Sequence, residues 1–261
     1  MNPESAQSQE KIRFEEITKK FGRVVAIDDI SFSVHDGEIL ALVGDNGAGK
    51  STLMNVLCGI HEPTSGKYFY EGESVRFASP NEARDCGIET VYQDLALMDD
   101  LDVATNIFLG KFPMRFSFGP FNIIDWDTAY AQAAELLEGQ LNQAIDPKTE
   151  VEFLSGGQRQ LVAIARSLAF DPDVLVLDEP TSALSVAGTE LVYDTIETLQ
   201  DKGQTQIIVS HNFEEVISVA DRIVVLYQGN VADIVDADAV TRGELSDMIK
   251  TGKSAAELKA D

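Results

Sequence analysis

The stretch "EILALVGDNGAGKSTLMNVLCGI", residues 38–60, constrains the fold of this chain more than any other. Its apolar run at 38–44 has the length and composition of a buried strand. Residues 44–52 then read Gly-Asp-Asn-Gly-Ala-Gly-Lys-Ser-Thr, which fits G-x-x-x-x-G-K-[ST] at Gly44, Gly49, Lys50 and Ser51. A helix-forming segment follows. Strand, glycine loop and helix are the context in which this pattern cradles phosphate. Backbone N–H groups of residues 46–51 can wrap an anion, because glycines let the chain turn and approach without a Cβ clash. The Lys50 ammonium would reach the β- and γ-phosphates, and the Ser51 hydroxyl would ligate Mg²⁺. Each charge-assisted contact is worth about 1.5–3 kcal/mol. The predicted nucleotide site therefore comprises Gly44, Asp45, Asn46, Gly47, Ala48, Gly49, Lys50, Ser51 and Thr52.

A second run, "DVLVLDEP" at 173–180, buries Val174 to Leu177 and delivers Asp178 and Glu179 at its C-terminal end. In open α/β sheets ligands bind at that edge. Asp178 is placed to hold Mg²⁺, and Glu179 is the natural general base for an attacking water. A third stretch, "LSGGQRQLVAIARSLA" at 154–169, sets Ser155, Gly156, Gly157 and Gln158 before an apolar-periodic helix. That is again the chemistry of an anion site at a helix N-terminus. One chain thus carries two such sites, far apart in sequence.

Along the rest of the chain, strands alternate with helices, which implies a mostly parallel sheet covered on both faces. "KIRFEEI", residues 30–34, "GKYFYEG" and "SVRF" read as further strands. Ser79-Pro80 starts a helix that stops at Gly87, and a strand follows at 88–93. Residues 94 to about 170 read as mostly helical, interrupted by a Pro/Gly/aromatic loop at 111–125. A hairpin is expected over 221–235 with Gly229-Asn230 at its turn. The polar residues 1–10 read as a disordered lead, and 11–261 as one domain with a helical subdomain at about 94–170. No secretory signal is visible, and no run of 18 apolar residues spans a membrane. Two cysteines give neither a disulfide framework nor metal spacing, which fits a reducing cytosol.

The net charge of −24, from 44 acidic and 20 basic residues, argues against non-specific nucleic-acid binding, which needs a basic footprint. The acids are spread along the chain. That spread suggests an acidic surface suited to a high-salt, halophilic cytoplasm, where counterions screen self-repulsion. An ordinary acidic protein is the alternative.

With the phosphate loop, Gln93 in "VYQD", "LSGGQ", "LVLDEP" and His211 in "IVSHN" present in that order, the chain resembles the nucleotide-binding subunit of an ABC transporter over nearly its whole length. The resemblance implies a P-loop NTPase core with a mostly parallel sheet, an antiparallel β subdomain and an inserted helical subdomain. It implies ATP and Mg²⁺ as cofactors. It makes Phe21 the aromatic that stacks on adenine and Gln93 the glutamine that senses Mg²⁺ and the membrane partner. It makes His211 the histidine that contacts the γ-phosphate and helps position the water. His35 and His61 have no such placement and read as surface residues. The two anion sites are then reconciled: two subunits pair head to tail, and Ser155 to Gln158 of one face the ATP held by the other. Ser185 stands where the family usually has an aspartate that helps the subunits communicate.

Residues 91–110 and 210–229 resemble monosaccharide importers of the ribose, xylose, galactose and fructose type. One copy of the domain implies the single-domain branch and a homodimer. Such a dimer would lie on the cytoplasmic face of the membrane beneath two permease subunits, fed by an extracytoplasmic sugar-binding protein. Two alternatives stay open: a soluble ABC ATPase of iron–sulfur cluster assembly, and a non-transport regulatory module.

Overall fold

The computed structural model describes residues 9–118 and 121–259. Residues 1–8 of the expected lead lie outside this range. Glu10, also assigned to the lead, instead opens the first strand opposite His35.

The chain begins with β1 (Glu10–Phe21), β2 (Val24–His35), β3 (Ile39–Gly44), α1 (Lys50–Leu57), β4 (Ser65–Tyr70) and β5 (Glu73–Val75). Next come α2 (Pro80–Asp85), β6 (Ile88–Val91), α3 (Val103–Phe108), β7 (Met114–Phe118), β8 (Phe121–Ile124) and α4 (Trp126–Ala134). The last of these runs on into a π-helical turn at Glu135–Gln140. The C-terminal half holds α5 (Gly156–Leu168), β9 (Val174–Asp178), α6 (Val186–Asp201), β10 (Thr205–Ser210) and α7 (Phe213–Val216). It ends with β11 (Arg222–Tyr227), β12 (Asn230–Asp236), α8 (Arg242–Thr251) and α9 (Ala255–Leu258).

The central sheet has the order β12-β11-β3-β10-β9-β6. Five of these strands run parallel, and β12 closes one edge antiparallel to β11. The mostly parallel sheet is thus present. Its apolar runs are continuous because both faces are covered. In β3, Ile39, Ala41 and Val43 join one apolar cluster with Leu161 and Ile164 of α5 and Val192 and Ile196 of α6. Leu40 and Leu42 point the other way, into a cluster with Leu53 and Met54 of α1 and Phe14 and Ile30 of β1 and β2. The period of two along the strand therefore divides the molecule into three layers. The second outer layer is an antiparallel sheet, β2-β1-β4-β5. Truncating a fully buried side chain such as Leu161 to Ala would cost about 2–5 kcal/mol.

Three expectations are corrected. Residues 111–125 are not a plain loop: β7 and β8 pair antiparallel, with Met114 opposite Ile124 and Phe116 opposite Ile123. Pro113 and Gly119-Pro120 suggest a break, but Phe116 and Phe118 between them and Phe121, Ile123 and Ile124 after them have high strand propensity. Within 94–170 the helices are separated by extended segments, so the region is less helical than its composition implies. The turn of the β11–β12 hairpin is Gln228-Gly229, not Gly229-Asn230: Tyr227 pairs with Asn230, and both turn residues have positive φ. That is the two-residue connection whose twist matches the strands.

Candidate active site

The carboxyl ends of β3, β9 and β10 open on one cavity of about 630 Å³. Val24, Val25, Asp45, Asn46, Gly47, Gly49, Lys50, Ser51, Thr52, Gln93, Asp178, Glu179, His211 and Gln228 are among its lining residues. Sequence separations of more than a hundred residues collapse here because parallel strands bring their ends to one edge.

The phosphate loop joins β3 to α1. Gly49 is the N-cap of α1, with φ 106° and no side-chain cap, so the first N–H groups of the helix lack a protein side chain to accept them. Gly49 tolerates no side chain. A Cβ there would lie 2.7 Å from Ile27 Cγ2 and 3.0 Å from Ala26 O. Gly229 N–H donates to Ala48 O at 3.0 Å and Asp28 N–H donates to Gly229 O at 2.8 Å, which lock the loop against β2 and the β11–β12 turn. Gly44 and Ala48 belong to the same framework but lie beneath the cavity rather than on its wall.

Lys50 is 8% exposed. Its Nζ donates to Gly44 O at 2.7 Å and to Asp45 O at 3.2 Å. Burial lowers its pKa below the usual lysine range, against the opposing pull of Glu179, Asp45 and Asp178. Asp178 is displaced the other way: burial, then the charge of Glu179, raise its carboxyl above the usual aspartate range, and Lys50 offsets only part of this. A desolvated ammonium beside crowded carboxylates and an uncapped helix N-terminus fits a polyphosphate carrying a divalent cation. The oxygen donors Ser51, Gln93 and Asp178 are hard ligands of the kind Mg²⁺ uses and are the residues that would hold it.

Glu179 sits one residue beyond β9 with φ 49°, a left-handed conformation uncommon for glutamate. Its N–H donates to Val209 O at 2.8 Å. Its Oε1 accepts from the backbone N–H of His211 at 3.0 Å and lies 2.8 Å from His211 Nδ1. The carboxylate is mostly sequestered, whereas the imidazole projects into the cavity mouth. Gln93 Nε2 donates to Ser182 Oγ at 3.4 Å, which ties the segment after β6 to the segment after β9.

Phe21 is not among the lining residues. It is 45% exposed at the end of β1, its ring edge-on to His61 at 5.1 Å, with Lys19 Nζ 5.1 Å from its centroid. Its cross-strand partner Val24, with Val25, forms the apolar wall on that side. His61 is therefore half-buried against an aromatic ring, not a free surface residue, and His35 is half-buried beside Arg222 and Glu38. Val24, Val25 and Gln228 escape sequence reasoning; the positive φ of a Gln-Gly turn is the signal that could have marked the last.

The Ser155–Gln158 stretch does not join this cavity. Ser155 and Gln158 close a capping box on α5: Gln158 N–H donates to Ser155 Oγ and Ser155 N–H donates to Gln158 Oε1. Gly156 is exposed, but Gly157 is buried where α5 crosses α6. A Cβ on Gly157 would meet Gly188 Cα at 2.9 Å. Ser185 caps α6, accepting from Gly188 N–H at 3.3 Å.

Comparison with known proteins agrees with this geometry. A profile of the family described as ABC transporter matches residues 27–182. The xylose/arabinose import ATP-binding protein of Sulfolobus acidocaldarius is 41% identical over 220 residues, which are 84% of this chain and 86% of that protein. The ribose import ATP-binding protein of Caldanaerobacter subterraneus subsp. tengcongensis is 38% identical over 89% of this chain but only 46% of its own length, so the chain spans about half of that relative. An ATP-binding cassette of an ABC transporter, solved in its ADP conformation, superposes with a TM-score of 0.80 at 25% identity, covering 97% of this chain and 99% of that one. A dimeric post-hydrolysis structure of an ATP-binding cassette bound to ADP and Pi superposes at 0.69 and 25% identity over 87% of this chain and 98% of its own. With a profile match over more than half its length and a relative this similar over most of both chains, the protein belongs to the ABC transporter family, among its ATP-binding proteins.

Proposed function

We propose that this chain hydrolyses ATP to energise uptake of a monosaccharide, of the pentose class, through separate permease subunits. The convergence of Lys50, Ser51, Gln93, Asp178, Glu179 and His211 on one cavity carries this reading. Sugar import by the relatives supports it over cluster assembly or regulation: they are named for xylose, arabinose and ribose. Residues 46–51 and Lys50 cradle the β- and γ-phosphates, and Val24 and Val25 flank the adenine. Ser51, Gln93 and Asp178 would hold Mg²⁺, which would supply neutralisation of phosphate charge. Glu179 accepts the proton of the attacking water, and His211 orients the water and contacts the γ-phosphate.

In the same reading the second anion site serves a second copy. Ser155, Gly156, Gly157 and Gln158 of one subunit face the ATP of its partner in a head-to-tail homodimer, an arrangement supported by the dimeric form of the related cassette. Among the described residues no helix is long and apolar enough to cross a membrane. Membrane association on the cytoplasmic face therefore comes through two permeases, supplied by an extracytoplasmic sugar-binding protein. No nucleic acid is bound. The acidic surface is a high-salt adaptation.

Mixing two damaged chains tests the site. Lys50→Ala loses the phosphate cation, and Gly156→Asp aims a carboxylate at the γ-phosphate. Each homodimer is expected to be nearly inactive. In a mixed dimer one site receives both lesions and the other receives neither. Random pairing makes about half the dimers mixed, so ATPase activity measured with the permeases should recover to roughly a quarter of wild type. If the two sites must fire together, the mixed dimer instead holds one tightly bound nucleotide that neither parent holds. Verified mixed dimers with neither recovered hydrolysis nor trapped nucleotide would refute the shared site.

A further inference from the structure

The loop after β9 and the loop after β10 meet twice. In the cavity they meet as Glu179 and His211. Behind it, away from the lining, they meet at Glu215 on α7. Thr181 Oγ1 donates to Glu215 Oε2 at 3.1 Å, and Tyr193 of α6 donates its phenol to the same oxygen at 3.4 Å. Thr181 and Tyr193 are each 8% exposed. Burial pushes the Tyr193 phenol up to about 12, so it keeps its proton and serves as a donor.

We propose that Glu215 is a positioning residue for ATP hydrolysis: it braces α7, and through it His211, against the turn that carries Glu179. This rests on the reading of Glu179 and His211 as the hydrolytic pair. Three features of the region require such a brace. Glu179 is held at φ 49°, a conformation that persists only where the surroundings over-determine it. Its geometry depends on the adjacent turn, where Ser182 N–H donates to Glu179 O and Leu184 N–H to Thr181 O. The helix α7 has four residues and buries only Val216, so it is too short to hold its own angle. Phe213 and Ile217 pack partly buried against the same core, and a polar anchor on another face holds its rotation further. Glu215 supplies one, and a carboxylate suits it because two hydroxyl donors can converge on one acceptor oxygen. A shift of about 1 Å in a reacting group costs roughly a hundredfold in rate, so even partial loosening registers in turnover.

The experiment compares Glu215→Ala, Glu215→Gln and Thr181→Val in the full complex, each with wild-type Glu179 and in a Glu179→Gln background. Glu215→Ala should lower kcat by about ten- to a hundredfold, with KM for ATP within about twofold, because the phosphate loop is untouched. Glu215→Gln keeps an oxygen facing both hydroxyls and should restore kcat to within about fivefold of wild type. Thr181→Val should fall between the two. In the Glu179→Gln background Glu215→Ala should change the residual rate by less than about twofold, since the base whose distance to His211 the brace sets is already gone. The ring resonances of His211, one of three histidines in the chain, should move in Glu215→Ala and return in Glu215→Gln.

An unchanged kcat in folded Glu215→Ala overturns the proposal. So does a loss that persists undiminished in the Glu179→Gln background, or one that Glu215→Gln fails to rescue. If Glu215→Ala does not fold, Thr181→Val with normal kcat and unmoved His211 resonances overturns it equally. A wild-type complex that does not hydrolyse ATP refutes the reading of the site instead. The His211 resonances would still decide whether the brace exists.

Discussion

Adding one methyl group to Gly157 should separate the two jobs of the paired glycines. Gly157 lies where α5 crosses α6, and a Cβ there would meet Gly188 Cα at 2.9 Å, Gly188 O at 3.3 Å and Leu191 Cδ2 at 3.3 Å. The first two contacts are backbone, so no side chain can swing aside and the helices must part. Overpacking of this kind costs up to about 3 kcal/mol. Replacing a helical glycine by alanine returns at most about 1 kcal/mol. The net expectation for Gly157→Ala is a loss of about 2 kcal/mol, which for a chain of this size lowers Tm by roughly 4–8 °C. Gly156 differs. Its Cβ would meet only Leu184 Cδ2, at 3.1 Å, the movable end of a flexible side chain. Gly156→Ala should therefore leave Tm unchanged or raise it slightly. Differential scanning calorimetry of both variants without nucleotide is the assay, with ATP turnover in the complex alongside. Gly156→Ala should lose turnover at normal stability, and Gly157→Ala should lose stability. A Gly157→Ala variant as stable as wild type, or a Gly156→Ala variant that melts earlier, would refute this assignment.

Other consequences follow from the same geometry. Asp178 is held above the usual aspartate range, so the folded state binds its proton more tightly than the unfolded chain does, and its contribution to stability falls as pH rises through that window. Asp178→Asn should flatten that fall and raise the nucleotide-free Tm above it, while abolishing magnesium-dependent turnover; a Tm lowered at neutral pH would contradict this. Glu179→Gln should retain ATP binding, lower hydrolysis by roughly 10²–10⁴-fold and accumulate an ATP-bound dimer on size-exclusion chromatography, and near-normal turnover would remove Glu179 as the base. If the −24 charge is a high-salt adaptation, Tm should drop as KCl is diluted from molar to about 0.1 M, where screening length grows from about 3 to 10 Å; a flat or rising Tm would exclude it.

Much of this site is legible along the chain, because its motifs are local. The phosphate loop announces its own strand and helix, and Asp178-Glu179 follow a run of four apolar residues, two of them β-branched, that reads as a buried strand and is one. What the pattern leaves out lies between segments. Residues 111–125 carry proline and glycine at the places a loop would, yet pair as β7 and β8, because cross-strand contacts rather than local spacing decide. Phe21 occupies the position expected of a base-stacking aromatic, but whether a side chain lines a cavity depends on the twist of the β1–β2 hairpin. Val24 and Val25 take the wall, while Phe21 packs on His61. Gly156 and Gly157 are identical and adjacent in sequence, and only the approach of α6 distinguishes them. The same holds for Thr181 and Glu215, separated by 34 residues and the whole of α6 and β10. A spacing rule can find a base and a histidine one at a time. It cannot find the contact that holds their two loops at one distance, since that contact has no period, no glycine and no motif of its own.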